Sequence, residues 1–324
     1  MITTKTMHIA AGVYRYYICA YMLFAASTSA AEEWSSNVPI PPLHATPNEQ
    51  RLQNGATIYY QRSGSGRPLI LMHTLRTQAE YFASVAPQLA HHYSVYALDL
   101  PGHGRSSLDR VNYDEPYFRA EIQEFIELND LRDVTLVGES IGGVLALTVA
   151  AEIPARIARI VSINPYDYGE KLAGGIRRSR NGWILGEFTI FRSHAIETQG
   201  ALAAVLRGGF HDPTRSSAEF VRLVYQSGRQ AGFRRAEYSL YKNWRSWLEA
   251  RKAYFRIAGP VELVYSSYDW SRPQERAANR DLLRPQSFLT IENTGHFAAL
   301  ENPEAVVRAV LNFDAAAARR TAAP

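Results

Sequence analysis

The chain has 324 residues, 46% of them hydrophobic and 20% charged, with a formal net charge of +4, a composition that excludes a disordered or fibrous protein. That length supports one sizeable core or two small ones. Arginine supplies nearly all the positive charge, and its clusters (Arg177, Arg178 and Arg180; Arg234 and Arg235) adjoin no nucleic-acid-binding module, so no nucleic-acid partner is expected.

Residues 1–31 read as a targeting segment. Lys5 and Arg15 are followed by an uncharged apolar stretch at 16–26, too short to span a bilayer comfortably, and by small residues at 27–31 that suit a signal peptidase. Cleavage after Ala30 or Ala31 would deliver a periplasmic or secreted protein; an uncleaved anchor starting at Ile9, or a later start such as Met7, is the alternative. Cys19, the single cysteine, lies inside this segment, so the mature chain would carry no disulfide. Residues 32–50 contain Pro39, Pro41, Pro42 and Pro47 and read as an extended linker.

The patterning then predicts a strand at 56–61, a turn at 63–66 and a buried strand at 68–72. Tyr81, Phe82, Val85 and Leu89 share one face of a predicted helix at 77–90. Strand 94–100, helix 115–128, strand 133–138, helix 142–151 and strand 157–163 follow. Such alternation implies a mostly parallel sheet flanked by helices, with ligands at the carboxyl ends of the strands. From Tyr166 to Arg251 the alternation stops, and the chain reads as helical and aromatic. Residues 166–256 hold 16 basic against 8 acidic residues, a net of +8. That charge suits a solvated arginine-rich face, an anionic substrate or contact with an acidic membrane surface. Strands resume at 261–265 and 289–291, Asn302-Pro303 opens a last helix, and 314–324 carries no packing pattern and reads as a disordered tail.

The chemistry centres on Gly138-Glu139-Ser140-Ile141-Gly142. A β-branched run ends at Glu139 and helix formers begin past Gly143, so Ser140 falls on a sharp strand-to-helix turn whose flanking glycines let the two elements approach. A serine hydroxyl is a weak nucleophile at neutral pH and needs an imidazole to take its proton.

Ser140 at this elbow, Asp269 after a later strand and His296 in Gly-His-Phe, with Asp99-Leu100-Pro101-Gly102-His103-Gly104-Arg105-Ser106 upstream, resemble the α/β-hydrolase fold family, in its branch with an inserted helical cap. The resemblance spans residues 51 to 313 apart from the insert. It implies a core of two parts (51–165 and 252–313), a cap at 166–251 and a Ser140–His296–Asp269 triad. Ser266 stands where the family usually has glycine, and Asp167, after the strand that precedes the cap, is a rival acid. The resemblance also implies an oxyanion hole from the Leu75 and Ile141 amides. Here His73-Thr74-Leu75 replaces the family's His-Gly-x, and Thr74 in place of glycine raises the expectation of an altered backbone. Arg76 follows at once, either as a ligand for a substrate carboxylate or as half of a salt bridge on the rim.

The implied activity is that of a serine hydrolase acting on a carboxylic ester of a small or medium-sized molecule, with no metal or organic cofactor. A carbon–carbon bond hydrolase, a thioesterase, or a ligand-binding protein without turnover are the alternatives. Serine rather than aspartate at 140 argues against haloalkane dehalogenase and epoxide hydrolase chemistry.

Overall fold

The computed structural model describes residues 41, 43–169, 175 and 199–321. The expected targeting segment, the first part of the expected linker, and residues 170–174 and 176–198 of the expected cap lie outside these.

Eight strands form one sheet: β1 (Thr46–Arg51), β2 (Thr57–Ser63), β3 (Pro68–Met72), β4 (Ser94–Leu98), β5 (Val134–Glu139), β6 (Ile157–Ile163), β7 (Val261–Ser266) and β8 (Ser287–Ile291). Their spatial order is β1-β2-β4-β3-β5-β6-β7-β8. The first two pairings, β1 with β2 and β2 with β4, are antiparallel, and the rest are parallel. Every residue of β4, β5 and β7 is buried, as expected of parallel strands covered on both faces. Each fully buried aliphatic side chain contributes about 1.5–3 kcal/mol by leaving water, before chain entropy is charged against it.

The helices are α1 (Ala86–Leu89), α2 (Glu115–Leu128), α3 (Ile141–Glu152), α4 (Gln199–Arg207), α5 (Ala218–Ser227), α6 (Phe233–Lys242), α7 (Arg245–Glu249), α8 (Pro273–Leu283), α9 (Ala298–Glu301) and α10 (Pro303–Thr321). Helix α3 is buried on every side except at Glu152, which suits the central helix that follows the serine corner. Two apolar cores lie on the sheet: Ile70, Leu136 and Ile141 join Phe118 and Trp247 in one, Leu69, Leu71 and Val137 join Tyr81 and Phe297 in the other.

Three expectations are corrected. The predicted linker 32–50 ends early, because residues 46–50 belong to β1 and pair with β2 from Thr46↔Arg62 to Arg51↔Thr57. Pro47 is tolerated there since an edge strand need not donate on both sides. The predicted helix 77–90 is instead a 3₁₀ turn at Ala79–Phe82 and the short α1. Pro87 has no N–H to give a continuous helix and its ring would crowd the carbonyl of Ala83. The tail is helical to Thr321, because its alanine run has the highest helix propensity of any residue type.

Between β6 and β7 the described residues form helices and no strand, as expected of a helical insert. Helix α6 sits on the loop that follows β4: Arg235 donates to Leu108 O (2.8 Å), the Tyr113 N–H to Ser239 Oγ (3.0 Å), and Gln230, just before the helix, to Gly104 O (2.8 Å).

Candidate active site

Ser140 occupies the corner between β5 and α3 with φ 61° and ψ −119°. A non-glycine residue in such a conformation costs about 1–3 kcal/mol, and the surroundings hold it there. Its N–H donates to Ile163 O (3.0 Å), and its carbonyl accepts from Val144 N and Tyr166 N (both 3.2 Å). The flanking glycines are steric necessities: a Cβ on Gly138 would lie 2.0 Å from Gly142 O, and one on Gly142 would lie 2.0 Å from Met72 O.

The structure brings the three residues named from sequence into one line. His296 Nε2 is 2.9 Å from Ser140 Oγ, and His296 Nδ1 is 2.5 Å from Asp269 Oδ1. With the carboxylate accepting from Nδ1–H, Nε2 is left free to accept the serine proton. Burial pushes Asp269 up, but the neighbouring His296 and the two Ser271 hydrogen bonds outweigh it and hold the carboxyl below its ordinary value. Ser271 donates to Asp269 Oδ2 from both its N–H and its hydroxyl, and Arg276 clamps this loop through Ser271 Oγ and the carbonyls of Asp269 and Ser271.

Asp167, the rival acid, takes other partners. Tyr254 OH donates to its Oδ2 (2.8 Å) and Asn279 Nδ2 to its Oδ1 (2.8 Å), and burial holds its carboxyl above the ordinary range. It ties the start of the insert to α8 and to the segment that leads back to the sheet.

Four residues near His296 were missed by the sequence reading. Asn164, in a left-handed conformation at the end of β6, donates to His296 O (3.1 Å) and to Ser266 Oγ (3.0 Å) while accepting from Ser266 N (2.8 Å). The serine that departs from the family's glycine therefore has a partner. Glu139, wholly buried beside Ser140, accepts from Ala298 N (2.6 Å) and Ala299 N (3.2 Å). Burial pushes its carboxyl up to about 8 against the lowering pull of those amides. Glu301 accepts from Gly295 N (2.7 Å) and, in the insert, from His211 N (3.1 Å) and Asp212 N (2.6 Å). Trp270 stacks on the His296 ring at 3.8 Å and 13°. Asn164-Pro165 at a strand end was the only one of these with a local sequence signal.

The Leu75 and Ile141 N–H groups have no backbone acceptor among the turn, loop and cap hydrogen bonds of the described residues. Thr74 does not disturb the backbone as its replacement of glycine suggested: the left-handed residue of this loop is Arg76, at φ 63°. Thr74 Oγ1 instead meets Thr77 Oγ1 at 3.2 Å. His73 bolts the loop to its neighbour, donating from Nδ1 to Thr74 O (2.7 Å) and accepting at Nε2 from Leu100 N (2.9 Å), and burial keeps its ring neutral. Arg76, of the two roles open to it, takes the ion pair: its Nε is 3.1 Å from Glu237 Oε1 in α6, and both side chains are largely buried. The contact is buried rather than on the rim, and it engages the guanidinium at Nε.

A serine at a strand-to-helix corner of a mostly parallel sheet, within reach of histidine and aspartate, is an arrangement that can support nucleophilic hydrolysis. The chain belongs to the alpha/beta hydrolase fold family, whose model matches residues 67–303. It is 26% identical over 268 residues to a pimeloyl-[acyl-carrier protein] methyl ester esterase of Edwardsiella ictaluri, covering 80% of this chain and 97% of that one. Among solved structures it resembles a meta-cleavage product hydrolase from Pseudomonas fluorescens (TM-score 0.70, 19% identity, 83% of this chain and 98% of that one). It also resembles an E-2-(acetamidomethylene)succinate hydrolase (TM-score 0.68, 21% identity, 83% and 99%).

Proposed function

We propose that this protein is a serine hydrolase that cleaves a carboxylic ester of small or medium size through an acyl-enzyme. Ser140 Oγ attacks the ester carbonyl as His296 Nε2 removes its proton, and Asp269 orients the ring and stabilises the imidazolium. The Leu75 and Ile141 amides hold the oxyanion, each worth roughly 3 kcal/mol of transition-state stabilisation. The C–O bond then breaks, His296 returns the proton to the departing alcohol, and water activated by the same imidazole releases the acid and frees Ser140. The observation that carries this reading is the continuous line from Ser140 Oγ through His296 to Asp269, at 2.9 Å and 2.5 Å. The likeness to a methyl ester esterase over nearly all of that relative's length favours an ester over the other bonds.

A panel of p-nitrophenyl esters of rising acyl length, with Ser140→Ala as control, tests it. Turnover of at least one ester, lost by on the order of 10⁶ in the variant, is expected. A panel left untouched while a vinylogous 1,5-diketone is cleaved would move the assignment to carbon–carbon bond hydrolysis.

The same proposal extends to location: residues 1–31 direct export, leaving a mature end at Ala31 or Glu32. The support is the apolar stretch at 16–26 followed by Ala30 and Ala31. Mass spectrometry of native protein from fractionated cells checks it, and an intact Met1 or Met7 end in the cytosol would refute it.

A further inference from the structure

The loop after β3 closes as a four-residue turn, Thr74-Leu75-Arg76-Thr77, with the Thr77 N–H donating to Thr74 O at 3.3 Å. Its third residue has φ 63° and is an arginine. Turns with a left-handed third residue normally place glycine or asparagine there, because a Cβ is disfavoured in that region. The backbone gains nothing from arginine at this point, so what the residue contributes is its side chain.

That side chain runs under the insert. The Nε of Arg76 lies 3.1 Å from Glu237 Oε1, an ionic contact rather than a linear hydrogen bond, with 10% and 4% of the two side chains exposed. The guanidinium also lies over the Phe233 ring, 5.5 Å from its centroid, and Tyr241 OH donates to Glu237 Oε1 at 3.1 Å. Phe233, Glu237 and Tyr241 all belong to α6, and a small cavity lined by Leu75, Arg76, His103, Phe233 and Glu237 adjoins the pair. Two opposite charges buried to this degree hold one another in place, since separating them leaves an uncompensated charge out of water.

We propose that Glu237 is a positioning residue for the oxyanion site. By holding Arg76 it fixes the turn that presents the Leu75 amide, so seating of the helical insert and assembly of the oxyanion hole are one event. The proposal rests on the serine-hydrolase reading above and deepens it. Released from Glu237, Arg76 relaxes from its left-handed conformation, the turn from Thr74 to Thr77 changes shape, and the Thr74–Leu75 peptide shifts so that its N–H leaves the position in which it meets developing negative charge. The cost therefore falls on the transition state more than on substrate binding.

The test uses a fluorophosphonate probe and p-nitrophenyl acetate on the full chain and on Glu237→Gln, Arg76→Ala and the double variant. Glu237→Gln is expected to lower kcat and the labelling rate in parallel by about 10–100-fold, the range of one weakened oxyanion donor, with KM within about threefold. Arg76→Ala keeps the Cβ that strains the left-handed conformation and removes the guanidinium that Glu237 holds, so a loss similar to that of Glu237→Gln is expected, and the double variant is to lose no more than either alone. Labelling and kcat within about twofold of wild type in either single variant, a loss confined to KM, or additive losses in the double would overturn the proposal. If Glu237→Gln does not fold, Arg76→Ala alone decides by the same criteria. A wild-type protein that never labels would bring down the nucleophile assignment and this proposal with it, whereas normal wild-type labelling with unaffected variants overturns this proposal alone.

Discussion

Asp167 and Asp269 stand just past the ends of neighbouring parallel strands, both deeply buried, and their carboxyl groups are pushed in opposite directions. Desolvation raises both. At Asp269 a histidine that carries charge when protonated, together with two hydrogen bonds from Ser271, overcomes it; at Asp167 the amide of Asn279, Arg251 nearby and the Tyr254 hydroxyl do not. Position after a strand thus nominates an acid, and the partners within hydrogen-bond reach decide what it does.

Kinetics should separate the two most widely. Asp269→Asn is expected to cut kcat by up to about 10⁴ with little change in fold, since an amide at this position favours the tautomer of His296 that cannot accept from Ser140. Asp167→Asn should leave kcat within about threefold, because its partners lie in the insert hinge and α8. Its effect is on stability: donors from Tyr254 and Asn279 lose an acceptor oxygen, at a cost of about 1–3 kcal/mol seen as a lower Tm. A larger kcat loss at Asp167 than at Asp269 would exchange their roles.

A smaller effect sharpens the contrast through pH. Asp269 has a folded value below its unfolded value of about 3.9, so its stabilisation is present above that pH and is lost as pH falls through the folded value. Asp167 has a folded value above the unfolded one, so as pH rises from about 4 the unfolded chain gives up its proton first and stability declines until the folded carboxyl also ionises. Thermal melts of each Asn variant against wild type should therefore show the gap for Asp269 closing below about pH 4, and the gap for Asp167 narrowing as pH rises above it. Gaps that move together would contradict the opposed shifts.

The sheet order of elements and the serine corner were legible because both are local: runs of buried β-branched residues, and glycines two either side of Ser140. His296 and Asp269 were legible only in their family setting, since nothing nearby in sequence tells this histidine from eight others. Asn164, Glu139 and Glu301 were not, because their partners are backbone amides and carbonyls brought in by the fold from up to 160 positions away. Thr74 misled for a related reason. Glycine was expected at the residue after His73, but the left-handed conformation falls two residues later, on Arg76. Edge strand β1 was hidden by Pro47, and the break in the helix at 77–90 was written in Pro87 and passed over.

The central claim is that Ser140 is the nucleophile. Mass spectrometry of a trypsin digest after fluorophosphonate treatment tests it most directly, because cleavage after Arg132 and Arg156 puts Ser140 in one peptide, residues 133–156. The account predicts the phosphonyl adduct on Ser140 in that peptide, absent when Ser140→Ala is treated in the same way; an adduct on another residue, or undiminished ester turnover by Ser140→Ala, would contradict it.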